Sequence, residues 1–300
     1  MNISAITSYI DAVERQTSLY KETAFDQRME VIDFIGFQLL DCLTALLHDT
    51  ADAGQLLALR NRAEKMKAGL EAIDRQLFQH LRHTIRNTGC TGPAFKKLVG
   101  GYFDIKATPG EDAAAPGYDN LDLFLNGLSP LQTMPEPTKD LEPEMVYFQK
   151  TPARIVFELV DQVRFVKEDV FFDLGAGLGQ VAILVHLLAG IRTIGVEFEP
   201  AFCHYARQAA AALNLPAVTF INTDARKADY SEGTVFFMFT PFTGEILQDV
   251  LDMLRKESLQ RRIKIITYGP CTTHVASQHW LRCISPIDQH TYKLGVFHSG

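Results

Sequence analysis

Asp173-Leu174-Gly175-Ala176-Gly177-Leu178-Gly179-Gln180 lies directly after the apolar run VFFDL (170–174) and directly before VAILVHLLAG (181–190). Glycine at alternate positions lets backbone approach a ligand closely, and the N–H groups of a helix start are expected to point at it. Strand, loop and helix in that order begin a βα unit. The pattern continues outward through TIGVE (193–197), VTFIN (218–222), TVFFMF (234–239) and IKIITY (263–268), which are β-rich runs separated by helix-like stretches. Such alternation predicts a mostly parallel sheet with helices on both faces. LRCISPI (281–287) and TYKLGVF (291–297) are too close for a crossover helix, so they predict an antiparallel hairpin at one edge. Upstream, Thr151 and Pro152 offer an N-cap and a first helical position, opening a helix through about Val163.

Glycine loops also serve dinucleotides, so the details matter. The spacing is GxGxG, and Gln180 stands where the third glycine of GxGxxG would fall. Asp173 ends the strand two residues before the first glycine, where it can hold an ammonium group and would repel a pyrophosphate. Over 151–300 these residues resemble the class I S-adenosylmethionine-dependent methyltransferases. The resemblance implies an α/β fold, a Rossmann-like sheet that is mostly parallel with an antiparallel C-terminal hairpin, preceded here by an N-terminal α-helical domain. It implies S-adenosyl-L-methionine as cofactor, its methionine part over Asp173, Gly175, Ala176, Gly177, Gly179 and Gln180. It places an acid for the ribose hydroxyls at Glu197, eighteen residues after Gly179, while Glu199 reads as an ordinary surface acid. The adenine is expected at Asp224 and Ala225, the competing reading of Asp224 being an N-cap or turn aspartate.

Within MVYFQKTPARIVFELVDQV (145–163) and the glycine loop, the chain is further similar to the non-SET histone lysine methyltransferases. That resemblance implies that the segment before the helix covers the cofactor, with Tyr147 and Thr151 lining it. The family follows its fourth strand with an Asn-Asn-Phe motif, where this chain has MFTPFTGE (238–245), and no lysine-rich tail is present. Cofactor binding therefore carries over and the substrate does not. The candidates for substrate contact or catalysis are Thr240, Phe242 and Tyr268; Phe242 reads equally as core, and Glu245 and His274 lie nearby without a partner that sequence identifies. The [NDS]PP[YF] motif of base amino methylation is absent. Cys271 follows a proline, as in RNA cytosine methyltransferases, but no proline-cysteine follows the fourth strand, so Cys271 reads as a small buried residue. A protein or small-molecule acceptor is expected, and nucleic acid is not favoured. The alternative is a cofactor-binding scaffold of the same fold with little turnover, working through its helical domain.

The other half of the 300 residues is organised by proline. None occurs before Pro93, seven fall between Pro109 and Pro152, and five follow. Residues 1–90 carry apolar positions at three- and four-residue steps, Val31 to Leu47 and Leu56 to Leu81, which predict a helical bundle. Residues 91–150, with TGPAF, TPGEDAAAPGYDN and MPEPTKDLEPE, read as an acidic connector that covers the site; within them LDLFLNGL (121–128) is apolar enough to dock. Residues 151–300 form the methyltransferase domain. Nearly all of the net charge of −7 resides in 101–150, where nine acids face three bases, so it says little about the acceptor. Five cysteines without a CxxC pair give no zinc spacing and fit a reducing compartment, and His48, His80 and His83 read as ordinary helix residues; no metal is expected. The run from Val31 to Leu47 is broken by Asp33, Gln38 and Asp41, and the N-terminus lacks a signal-peptide pattern, so a cytoplasmic location away from membranes is expected.

Overall fold

A computed structural model describes residues 1–48, 53–105, 117–131, 133–285 and 292–300. The chain divides into two units: Met1–His83 with Val99–Asp104, and Thr84–Leu98 with Ile105–Gly300.

The first unit is helical. It contains α1 (Ile3–Arg15), α2 (Phe25–Phe34), α3 (Leu40–His48) and most of α4 (Gly54–Thr88). Asn2 caps α1 by accepting from the N–H of Ala5. The periodic run from Val31 is one continuous helical path, but a π turn at Ile35–Leu39 joins α2 to α3. One extra residue per turn there shifts the buried stripe, so Ile35, Leu39 and Leu43 enter the core while Phe37 is 76% exposed. Phe25–His48 has the length and composition of a membrane span, yet Ile32, Ile35, Leu39 and Leu43 pack with Ile6, Ile10, Leu56 and Leu59. The unit also buries a cation. Arg28 is 0% exposed; its Nε donates to Asp74 Oδ1 at 2.7 Å, and its other nitrogens donate to the carbonyls of Leu19, Lys21 and Glu22.

The second unit follows α5 (Pro93–Gly100) and α6 (Asn120–Gly127) with α7 (Ala153–Val163), β1 (Val170–Leu174), α8 (Gln180–Ala189), β2 (Arg192–Glu197), α9 (Pro200–Ala212) and β3 (Val218–Asn222). It ends with β4 (Val235–Met238), α10 (Gly244–Ser258), β5 (Lys264–Tyr268), α11 (Cys271–Ala276), β6 (Leu281–Cys283) and β7 (Leu294–Ser299). The seven strands lie in the order β3-β2-β1-β4-β5-β7-β6. β1 to β5 are parallel, β7 is antiparallel to β5, and β6 is antiparallel to β7. This is the Rossmann-like sheet of class I methyltransferases, with the expected hairpin; β7 inserts beside β5 and β6 forms the edge. Strand order reverses between β1 and β4, which sets the crevice for a ligand at the end of β1, where Asp173 stands.

The core explains the runs. Phe172, Leu174, Phe236, Met238, Ile265 and Phe297 share one cluster with Ile246, Leu247, Val250, Leu251 and Leu254 of α10. α8 is buried from Val181 to Leu188, so its apolar sequence carries no single stripe. The start of α7 corrects the expectation for Thr151. Pro152 is its N-cap and supplies no side-chain bond. Asp122 of α6 does so from a distance, its Oδ1 accepting from the N–H of Ala153 at 2.8 Å, while Arg154 pairs with Asp119. LDLFLNGL is thus a helix with an Asp119–Asp122 capping box that is tied to α7. Most of TPGEDAAAPGYDN lies outside the described residues.

Candidate functional site

A cavity of about 360 Å³ opens at the carboxyl edge of β1, β2 and β4. Gly175 and Ala176 of the β1 loop form its floor, with Gly177 beneath Phe148 of the wall. Gly175 has φ +75°, and a Cβ there would lie 2.3 Å from Cβ of Pro241; Gly177 has φ +53°, and a Cβ there would lie 2.2 Å from the ring of Phe148. Glycine is required at both positions by backbone conformation and by close approach together. The loop amides differ from expectation, because they are used inside the protein. Gly175 and Ala176 both donate to the carbonyl of Val196, Gly179 donates to Ala176, and Gly177 donates to Glu197. The loop therefore gives the cavity its shape, and charged recognition falls to side chains.

Asp173 borders the cavity and is 3% exposed. Its Oδ2 has no hydrogen-bond partner. Burial, reinforced by the nearby Glu197 carboxylate, pushes its acid up to about 7 against a backbone N–H of Ala182 that favours the ionised form. Both amide atoms of Gln180, which also borders the cavity, are buried and unpartnered. Buried polar groups without partners are rare in folded proteins, and these two border a cavity, where a ligand would complete them.

Glu197 ends β2 and is buried, with Oε2 accepting from Gly177 at 2.6 Å and Oε1 from the N–H of Glu199 at 2.8 Å. Burial raises its acid as well. Two further acceptor positions of the carboxylate remain for hydroxyl donors. Glu199 corrects the sequence reading. It is 4% exposed and accepts from the N–H groups of Thr138, Lys139 and Ala201 and from the Thr138 hydroxyl. Its carboxylate fastens the proline-rich segment 137–139 to the head of α9. Nothing local in the sequence announces this, because the partners lie some sixty residues away.

The same segment crosses the strand ends. Val146 donates to the carbonyl of Pro241 at 3.0 Å, Thr243 donates to that of Glu144, and Glu142 pairs with Arg226. It carries Tyr147, Phe148, Lys150 and Thr151 to the cavity wall. Tyr147 is 86% exposed there and Thr151 is buried. Phe148, which sequence reasoning passed over, lies on Gly177 and against Phe202, ring centroids 5.5 Å apart.

Asp224 and Ala225 also line the cavity. Asp224 is the N-cap of a short 3-10 turn, accepting from the Arg226 N–H, and its carboxylate is gripped by the Arg226 guanidinium, which holds it below the usual range. The turn-aspartate reading thus describes its bonding. Thr240 and Phe242 border the cavity as well. Thr240 adopts φ +40°, a strained conformation for a β-branched residue, and its hydroxyl donates to Tyr268 O and accepts from Cys271 N–H. Phe242 is buried in the core cluster and bridges to Met145. Gly177 and Gly179 lie behind the cavity wall, as does Tyr268, whose ring packs 4.8 Å from Phe239 and whose phenol burial keeps protonated. Cys271 is buried with its thiol pushed up.

These residues fit the amino-acid and ribose groups of S-adenosylmethionine. Asp173 offers an unpaired buried acid to an ammonium, Glu197 offers acceptors to a diol, and the floor admits no side chain at Gly175. A pyrophosphate in their place would meet two carboxylates and amides already used.

The family described as histone methylation protein DOT1 matches residues 143–273, from the segment crossing the strand ends to the start of α11. No curated protein matches the chain. Among solved structures, an RNA methyltransferase from Salinibacter ruber in complex with S-adenosyl-L-homocysteine is similar at 22% identity, covering 50% of this chain and 92% of that one, with a TM-score of 0.39. A putative methyltransferase from Escherichia coli is similar at 12% identity over 52% of this chain and 90% of that one, TM-score 0.41. A SAM-dependent methyltransferase from Aquifex aeolicus gives 17% identity over 48% and 88%, TM-score 0.40. The fold assignment rests on the strand order above, and the match to the DOT1 family bears out the resemblance read from the sequence.

Proposed function

We propose that this protein is a cytoplasmic S-adenosylmethionine-dependent methyltransferase acting on a protein or small-molecule acceptor. The observation that carries the reading is the buried Asp173 carboxylate, unpartnered at Oδ2, bordering a cavity of about 360 Å³ above a glycine floor. When bound, the cofactor supplies a sulfonium-activated methyl group. The chain's own part is to hold, align and exclude water. Asp173 and Gln180 hold the amino-acid end, Glu197 holds the ribose diol, and Asp224 and Ala225 line the adenine end. Phe148, Phe202, Phe239 and Phe242 keep the cavity apolar.

The acceptor enters at the β4 end, beside Thr240. No general base is assigned there: Tyr268 is buried and keeps its proton, and His274 is bonded to Gln248. The absence of [NDS]PP[YF] at 239–242 supports an acceptor other than a nucleic-acid base. Calorimetry with S-adenosylmethionine and S-adenosylhomocysteine tests the reading. Binding of both, with none of NAD, is expected; binding of NAD alone would overturn it. Transfer of labelled methyl into fractions of a cell extract then identifies the acceptor, and tight binding without any transfer would favour the scaffold reading.

A further inference from the structure

A second cavity, of about 330 Å³, lies beside the first and is walled largely by leucines, among them Leu125 of α6 and Leu184 and Leu187 of α8. Met134, Lys150 and Gln180 border both cavities. Each polar member of that partition lacks something. Gln180 has no partner for either amide atom. Lys150 is half-buried, and among the described residues its Nζ donates to one neutral group, Asn126 Oδ1, at 3.2 Å, with no carboxylate in ion-pair range. Asp122 is the acid that acts on it electrostatically, and both Asp122 oxygens already accept backbone N–H groups, from Asp119 and Ala153. Burial accordingly pushes the Lys150 ammonium down. A half-buried cation with no ion-pair partner is costly for a fold to keep.

The amino-acid end of the proposed cofactor is a zwitterion and needs donors for its carboxylate as well as an acid for its ammonium. The amides of Gly175, Ala176 and Gly177 cannot serve, since they donate within the protein. Lys139, another cation at the first cavity, lies over the Phe198 ring at 4.2 Å and donates to the Phe198 carbonyl. Arg226 is taken by Asp224 and Glu142. Lys150 remains. We infer that Lys150, with the Gln180 amide beside it, binds the α-carboxylate of the cofactor opposite Asp173, and so selects ligands that carry the amino-acid group. This rests on the proposed function.

The test compares S-adenosylhomocysteine with 5′-methylthioadenosine, an adenine thioether that lacks the amino-acid group. Calorimetry is run on wild type, Lys150→Met and Lys150→Arg in the full chain. Lys150→Met is expected to weaken S-adenosylhomocysteine at least tenfold and to leave methylthioadenosine within twofold, with Lys150→Arg recovering most of the loss. Unaltered methylthioadenosine binding also shows that the variant has folded. An unchanged affinity for S-adenosylhomocysteine, or an equal loss for both ligands, overturns the role of Lys150 alone. If wild type binds neither ligand, the cofactor reading fails and the inference falls with it.

Discussion

Each unit of this protein buries a charge, and the two are treated in opposite ways. Arg28, in the first unit, has an acid and three carbonyls around its guanidinium. Asp173, in the second, faces a cavity with one oxygen bonded to nothing and another acid, Glu197, as its electrostatic neighbour. A buried charge whose partners are complete holds a fold together. Burial raises the acids of both Asp74 and Asp173, and each has an unbonded Oδ2, but Asp74 faces a guanidinium while Asp173 borders a cavity in which a ligand can pair with it. The difference separates structure from function within one chain.

That contrast can be broken by substitution. Replacing Arg28 by Met leaves Asp74 buried and unpaired, and should cost about 3–5 kcal/mol of stability, measured by urea unfolding followed through helical circular dichroism. A cost under about 1 kcal/mol would show that the pair is incidental. Asp173→Asn should act the other way. The acid stands at about 7 in the folded chain against the usual 3.8, so Asp173 costs the fold nothing below about pH 4 and its cost grows as pH rises to about 7. At pH 8 the empty Asn variant should therefore be more stable, on the order of 2–4 kcal/mol, with the gain vanishing toward pH 4. Its affinity for S-adenosylhomocysteine should fall at the same time. Destabilisation at pH 8 would contradict the account. Glu197→Ala, which removes acceptors from the ribose, should weaken binding by about 1–3 kcal/mol. An unchanged dissociation constant would reject that role.

How much of this was legible depends on the range of the interaction. VFFDL and VTFIN are strands over the residues named, because β-branched and aromatic runs between turns decide that locally. The loop and Glu197 were legible because their function fixes spacing along the chain. Glu199, Asp122 and Lys150 were not. Their bonds tie the proline-rich connector to α7, to the head of α9 or to itself; its composition reads as turn whatever it touches, and bonds such as Glu199 to Thr138 appear only after folding. The π turn at Ile35–Leu39 escaped for a related reason: steps of three and four residues fit a plain helix, and the turn leaves Ile35, Leu39 and Leu43 in the stripe that those steps predict.

The central claim is that Asp173 is kept partly protonated until an ammonium pairs with it. Calorimetric titration of S-adenosylhomocysteine at about pH 6.5, in two buffers of different ionisation enthalpy, reads this directly. The account predicts release of a substantial fraction of a proton on binding, affinity that rises with pH and levels off above about 7, and loss of both in Asp173→Asn. Binding without proton release, or the same release from the Asn variant, would contradict it.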